Sequence, residues 1–349
     1  MFTRRDFARL TALASVAALA GPVPAPAVEP KSSSGVIKPP RLKEGDTVGI
    51  VLPASLSFEA EDINLSKERL EALGFKVKFG AHVFDRYGSF AGTDRDRASD
   101  VNAMFADPEV DGIFCFTGGW GTPRILPFLD FQLIRRNPKV LIGYSDITAL
   151  INTVHQRTGL VTFHGPVADS TLEPYTLENL KKAVMSDAPI GVLSNPPRKD
   201  TELVNRQWHT FAVRSGKGSG RIVGGNLTLM SALMGTPYEV DTAGGLLFLE
   251  DIHEEPYRID RMLTQLQEGG KFDRVKGVVW GRCTQCVPKS VPSFSEEEVI
   301  RDHFGSLGVP VLSGFAFGHI EKKITLPLGL TGTLDADAGT VTIDESAVA

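Results

Sequence analysis

The stretch Lys139-Val140-Leu141-Ile142-Gly143-Tyr144-Ser145-Asp146-Ile147-Thr148 constrains the fold more than any other part of the sequence. An apolar, β-prone run stops at Gly143 and Tyr144. From there the apolar residues Ile147, Leu150, Ile151 and Val154 follow the i, i+3, i+4, i+7 spacing of one helix face, with Gly159 as a candidate C-cap. Strand, sharp turn and helix N-terminus in direct succession are the pieces of a nucleophile elbow, in which a small side chain projects into a cleft. Ser145 occupies that position, and the free backbone N–H groups of the helix start can stabilise an oxyanion. The hydrolase pattern Gly-x-Ser-x-Gly is not met, because Ile147 stands where its second glycine would be. A serine that merely caps the helix would look the same in sequence.

The same strand–helix alternation extends over the first half of the chain. Asp46 to Leu52 reads as a first strand breaking into the loop Pro53-Ala54-Ser55, Glu61 to Leu73 as a helix closed by Gly74, and Lys76 to Phe79 as a second strand. Arg95 to Phe105 reads as a helix, Gly112 to Phe116 as a buried strand, and Leu160 to Phe163 as the strand after the Ser145 helix. Such alternation predicts a doubly wound α/β domain with a parallel sheet, whose sites form beyond the C-terminal strand edges. Two features fall on that edge: Gly118-Gly119-Trp120-Gly121 and Tyr144-Ser145-Asp146. The glycine loop has neither the ending of a phosphate loop nor the spacing of a dinucleotide fingerprint. It reads as a close backbone approach to a substrate, or as a plain tight turn.

The N-terminus reads as a targeting segment. Thr3-Arg4-Arg5-Asp6-Phe7 is a twin-arginine pattern, followed by an Ala/Leu-rich stretch from Ala8 to Ala20 and by Ala25-Pro26-Ala27, an Ala-x-Ala cleavage site. The apolar run is too short to span a bilayer, and no lipobox cysteine accompanies it. The expectation is export by the twin-arginine route to the periplasm, with no membrane anchor. The expected organisation is a signal over residues 1–27, a flexible Pro/Ser-rich linker over 28–40 and an N-terminal nucleophile domain over 41–170. An irregular crossover over 171–216 and a C-terminal domain over 217–345 complete it. The net charge is −5, and removing the +2 of Arg4, Arg5, Arg9 and Asp6 leaves about −7. That balance argues against a nucleic-acid partner.

In the second half, Gly244 to Asp251 is a strand ending in Glu250 and Asp251, a helix runs from Tyr257 to Glu268, and Phe315 to His319 ends another strand-like segment. Ile324 to Gly329 looks like the edge of a β hairpin. A serine nucleophile needs a base, and the base needs an orienting carboxylate. The chain order Ser145, Glu250, His319 is one that gives working triads. His164, in Phe163-His164-Gly165-Pro166, competes for the role of base; His253 is a further alternative, and His155 reads as a surface residue. Cys115 lies within an apolar run and reads as core. Cys283 and Cys286 could close a small disulfide, though the plainer reading is two small residues at a strand end.

At this point the residues resemble a known family, the LD-carboxypeptidases, or S66 serine peptidases, which also include microcin-immunity peptidases. The resemblance rests on Phe90-Ala91-Gly92-Thr93, Gly118-Gly119-Trp120-Gly121, Gly143-Tyr144-Ser145-Asp146, Phe163-His164-Gly165-Pro166 and Gly224-Gly225-Asn226-Leu227. It continues through Gly235-Thr236-Pro237, Leu249-Glu250-Asp251-Ile252, Tyr257 to Leu263, Phe317-Gly318-His319 and Leu326-Pro327-Leu328-Gly329, in family order. It implies a flavodoxin-like N-terminal domain and a smaller, β-rich α/β C-terminal domain, with the active site in the groove between them. It implies Ser145 as nucleophile, His319 as general base, Glu250 as its orienting carboxylate, and an oxyanion hole at the N–H groups of Gly119 and Asp146. The implied substrate is the tetrapeptide stem of peptidoglycan, cut between an L-centre and the terminal D-alanine, by a homodimer needing no metal or cofactor. Peptide–nucleotide antibiotics are the alternative substrates, and a non-catalytic muropeptide-binding protein is the alternative class. Thr117 and Trp120 depart from the family's Arg-Gly-Gly-Tyr-Gly loop and are therefore candidates for substrate contact; loss of that arginine changes how a substrate carboxylate can be held.

Overall fold

The computed structural model describes residues 35–197 and 208–349. The twin-arginine pattern, the Ala25-Pro26-Ala27 site and the first part of the linker lie outside the described residues. The strands are β1 (Thr47–Val51), β2 (Lys76–Phe79), β3 (Gly112–Cys115), β4 (Val140–Gly143), β5 (Thr162–His164), β6 (Gly191–Leu193) and β7 (Phe211–Arg214). They continue with β8 (Lys217–Asn226), β9 (Gly245–Ile252), β10 (Gly277–Thr284), β11 (Val311–Gly318), β12 (Leu326–Leu328), β13 (Thr331–Asp335) and β14 (Thr340–Ile343).

The first sheet has the order β12-β5-β4-β3-β1-β2. Strands β1 to β5 are mutually parallel, and only β12 runs against its neighbour. Every residue of β3 and β4 is buried. That is the signature of a sheet covered on both faces, and it explains why these strands read as unbroken apolar runs rather than alternating ones. The order β2-β1-β3-β4-β5 is the flavodoxin-like one, and it reverses between β1 and β3. At that reversal the loops after β1 and β3 leave in opposite senses and open a crevice. The helix Asp94–Ala106 starts with a capping box of Thr93 and Asp96. The helix Thr148–Thr158 ends at Gly159, which takes a left-handed φ of 81°.

The second sheet has the order β6-β14-β13-β8-β9-β10-β11-β7. Strands β8 to β11 are parallel, and antiparallel strands flank them on both sides. By strand number it is the larger sheet. Helices Pro256–Glu268 and Glu296–Phe304 pack on it, and bury Ile259, Leu263 and Leu266 from the first and Val299, Ile300 and Phe304 from the second.

Four expectations change. The described part of the segment 171–216 is not irregular: β6 and β7 lie within it, and Pro174–Val184 is a helix. Glu173 caps it by accepting from the Tyr175 and Thr176 amides at 3.0 and 2.6 Å, with Pro174 at its first turn. Residues 324–329 form no hairpin of their own, because β12 pairs with β5, with Leu326 opposite His164 and Leu328 opposite Thr162. Pro327 is tolerated because β12 is an edge strand. Part of the linker is docked, with the Ile37 amide donating to Gly159 O and the Val161 amide donating to Ile37 O, both at 2.8 Å. Cys283 and Cys286 form a disulfide; the positive φ of Gln285 turns the chain so that their Cα atoms lie 5.4 Å apart. Cys115 is buried, as the apolar run around it implies.

The return of the chain to the first sheet ties the segment after His319 to β5. Leu326 is fully buried there, so Leu326→Ala should lower the unfolding free energy by about 3 kcal/mol. Urea titration checks this; a change below about 0.5 kcal/mol would mean that β12 contributes little to the sheet.

Candidate functional site

The elbow is built by steric necessity. A Cβ on Gly143 would lie 2.7 Å from Ile147 Cγ2, so only glycine lets β4 turn this tightly. Tyr144 is extended, Ser145 takes a left-handed φ of 63°, and a 3-10 turn over Ser145–Ile147 leads into the helix Thr148–Thr158. A left-handed serine is a strained residue, at a cost of about 1–3 kcal/mol, and persists only where surrounding packing imposes it. The capping alternative fails, since neither the 3-10 turn nor the helix takes a side-chain cap. The Ser145 hydroxyl lies instead 2.9 Å from His319 Nε2.

His319 follows β11, and its Nδ1 is 2.6 Å from Glu250 Oε2 at the C-terminal end of β9. Both distances are satisfied when Nδ1 carries the proton and donates to Glu250 while Nε2 accepts from Ser145. Gly318 is required between β11 and the imidazole, because a Cβ there would lie 2.7 Å from Glu250 Oε2. Thr284, inside the disulfide loop, donates its hydroxyl to His319 O at 2.6 Å and fixes the backbone. The three side chains expected to meet therefore form one hydrogen-bonded line, with Ser145 supplied by the first sheet and the other two by the second.

The competing histidines lie elsewhere. His164 is buried behind the line, stacked on Phe317 at 4.3 Å, with Nε2 4.0 Å from Glu250 Oε1. Among the described residues neither of those two atoms has a hydrogen-bond partner. Burial pushes the His164 imidazole down to about 4. His253 is bound to Gln285 Oε1 at 2.6 Å, outside the line. His155 is not a surface residue: it is buried, with Nδ1 2.9 Å from Leu160 O, and burial pushes it down to about 4. The reason is that both faces of its helix are covered; Asn152 on the same helix donates to Gly224 O in β8 at 2.9 Å.

The glycine loop closes on Ser145. A Cβ at Gly118 would stand 2.7 Å from Ser145 Cβ, 2.8 Å from Oγ and 3.5 Å from the Asp146 nitrogen. The loop backbone, Ser145 and the Asp146 amide are thus in direct contact, and Gly119, with a φ of 100°, is the next residue along. Ser55 from the loop after β1 stitches the crevice: its amide donates to Gly118 O at 3.2 Å, and its hydroxyl accepts from the Trp120 amide at 3.1 Å. Thr117 is half-buried; Trp120 is exposed and meets Phe90 edge-on at 4.5 Å.

Three supports were not legible as such in the sequence. The buried Asp146 carboxylate accepts from the Thr122 amide at 2.7 Å, tying the elbow to the end of the glycine loop; burial raises its carboxyl above the usual range. Arg97, buried, pairs with Asp94 at 2.6 Å and donates to Gly121 O at 3.3 Å and to Pro53 O. The run Asp94-Arg95-Asp96-Arg97 looks like a solvated helix face, which hides that role. Lys323, also buried, stands 4.2 Å over the Tyr144 ring. Among the described residues no group of three or more His, Cys, Asp and Glu side chains is arranged to hold a metal ion.

Comparison with known proteins gives two family matches, the LD-carboxypeptidase N-terminal domain over residues 48–165 and the LD-carboxypeptidase C-terminal domain over residues 219–334. The chain is 41% identical over 313 residues to the probable murein peptide carboxypeptidase of Bacillus subtilis (strain 168), covering 88% of this chain and 94% of that protein. It is 28% identical over 335 residues to the microcin C7 self-immunity protein MccF of Escherichia coli, covering 87% and 94%. The crystal structure of muramoyltetrapeptide carboxypeptidase from Oxalobacter formigenes superimposes with a TM-score of 0.74 at 28% identity, covering 86% of this chain and 98% of that one.

Two measurements test this geometry. Gly118→Ala should displace Ser145 from His319 and slow its labelling by a fluorophosphonate about tenfold or more, with thermal unfolding little altered; labelling at the wild-type rate would mean the loop does not constrain the serine. His155 and His164 refuse protons that unfolded histidines accept below about 6.5. Their contribution to stability is present above that pH and lost as the pH falls toward about 4. The loss is up to about 1.4 kcal/mol per pH unit for each. Urea midpoints measured from pH 7 to pH 4 should fall, and less steeply in His164→Phe.

Proposed function

The chain belongs to the LD-carboxypeptidase family and is a peptidase of the hydrolase class, and we propose that it is a serine carboxypeptidase cutting the L–D amide of peptidoglycan tetrapeptide stems. The observation that carries this reading is the line Ser145 Oγ, His319 Nε2, His319 Nδ1, Glu250 Oε2, with contacts of 2.9 and 2.6 Å. In the proposed reaction His319 takes the Ser145 proton as the serine attacks the amide carbonyl. Glu250 holds the Nδ1–H and stabilises the imidazolium that forms. The N–H groups of Gly119 and Asp146 receive the negative charge of the tetrahedral intermediate. His319 then gives its proton to the departing amine, D-alanine leaves, and water, deprotonated by His319, hydrolyses the acyl-enzyme.

The stem-peptide assignment draws support from the names of the Bacillus subtilis and Oxalobacter formigenes relatives. A second reading, hydrolysis of a peptide–nucleotide conjugate, draws support from the likeness to the microcin C7 self-immunity protein. Trp120 favours it as well, since its exposed ring on the glycine loop offers a flat face for a base to stack on. A binding protein without turnover would have no use for a strained serine hydrogen-bonded to an imidazole. The twin-arginine pattern supports work in the periplasm, on stems in the wall or freshly released from it. The proposed assembly is a homodimer, with residues 41–170 carrying the nucleophile and residues 217–345 its partners.

Ser145→Ala should lower D-alanine release from a muropeptide tetrapeptide by about a thousandfold or more while the thermal unfolding temperature stays unchanged. Mass spectrometry of the peptide products reads this out. Turnover equal to that of the wild type would sink the serine mechanism, and faster hydrolysis of a peptidyl nucleotide than of the tetrapeptide would transfer the assignment to the second reading.

A further inference from the structure

Lys323 is a buried cation without a counter-ion among the described residues. It lies on the connector between His319 and β12 and is 7% exposed. Its main-chain amide donates to Thr176 Oγ1 at 3.0 Å, which anchors the connector to the helix Pro174–Val184. Its ammonium stands 4.2 Å over the Tyr144 ring. The same ring meets His319 edge-on, with centroids 4.9 Å apart, and Tyr144 immediately precedes Ser145. Among the described residues Lys323 forms no ion pair. The carboxylate that acts on its charge is Glu250, whose Oε2 is taken by His319. Arg97 and Arg124, beside the glycine loop, both bind Asp94, at 2.6 and 3.0 Å. Thr117 on the glycine loop is uncharged.

A buried ammonium that lacks a counter-ion is costly and is retained most readily where the missing anion arrives as a ligand. We infer that Lys323 binds the C-terminal carboxylate of the peptide whose terminal residue is released. The inference rests on the peptidase reading above and deepens it. The chemistry of the leaving group selects this location. In a carboxypeptidase the departing amine and the terminal carboxylate belong to one residue, so the carboxylate lies about 3.5 Å, one residue length, beyond the attacked bond. His319 is the group that protonates that amine. A cation sharing the Tyr144 ring with His319, on the same connector four residues later, stands on the leaving-group side. Burial pushes the Lys323 ammonium down to about 8, which leaves it mostly charged at neutral pH. The bound carboxylate would restore the charge balance and exclude substrates that continue past the scissile residue.

The test pairs two substrates with three proteins. The substrates are the tetrapeptide stem with a free C-terminal carboxylate and the same peptide as its C-terminal primary amide. The proteins are wild type, Lys323→Met and Lys323→Arg. Wild type should prefer the free acid by about a hundredfold in kcat/KM, as expected for a desolvated charged contact. Lys323→Met should bring the acid down to within a few-fold of the amide, a collapse of the ratio that a general disturbance of Ser145, which slows both peptides alike, would not produce. Lys323→Arg should recover part of the preference. An acid-to-amide ratio in Lys323→Met equal to that of wild type overturns the role of Lys323 alone. Absence of turnover of either peptide by the wild type overturns the stem-peptide reading, and this role with it.

Discussion

The hydrogen bond between Ser145 Oγ and His319 Nε2 joins two sheets, and much of the architecture around it exists to hold that 2.9 Å contact. On one side, Ser145 must adopt a left-handed backbone, which isolated serines avoid. The buried strand β4, the tight turn at Gly143 and the close approach of Gly118 impose it. On the other side, the imidazole is held at three points: by Glu250 through Nδ1, by Thr284 through the backbone carbonyl, and by the ring of Tyr144 against its edge. Each support comes from a different element, so strain at the serine is offset by packing distributed over both sheets.

The glycine loop has the same logic. Its job is proximity, and bare backbone is what lets it reach Ser145. Closeness alone does not define a position, so the loop is also clamped from outside. Ser55 holds its start, Arg97 and Asp146 hold its end at Gly121 and Thr122, and Phe90 packs under Trp120. Arg97 and Asp146 are both buried and carry opposite charges that spend themselves on main-chain groups and on Asp94. In consequence, among the described residues, Lys323 is the cation in contact with the elbow that is left without an anion. Charge around the crevice is thus consumed by structure on one side of Ser145 and held in reserve on the other.

Much of this was readable beforehand. The buried runs at Ile113 and Val140 announce parallel strands, Gly159 announces a helix end, and the order of Ser145, Glu250 and His319 with their neighbouring glycines announces a hydrolytic arrangement. These signals are local: periodicity, turn chemistry and spacing. Local pattern and structure part where the deciding contact is distant in the chain. His155 read as exposed because the second sheet that covers its helix lies some seventy residues away in sequence, at Gly224. Residues 324–329 read as a hairpin because nothing nearby reveals that Leu326 pairs with His164. The helix at Pro174–Val184 had a legible start in Glu173 and Pro174, obscured by the prolines and charges that follow it.

By itself the sequence determined the elements, their alternation, the elbow and the residue types that a hydrolytic site needs, because each depends on backbone preferences and on patterns a few residues long. Only the tertiary structure decided which histidine meets Ser145, which carboxylate oxygen is used and which is orphaned, and that Cys283 and Cys286 close a loop behind His319. It alone decided that Lys323 is buried with no ion-pair partner among the described residues. Those outcomes depend on distances between groups tens to hundreds of residues apart, set by the packing of two sheets against each other. His164 and His319 each come at the end of an apolar run, one in each sheet. What separates the two is that one imidazole lies within reach of Ser145, and the other beneath it, facing the second oxygen of Glu250.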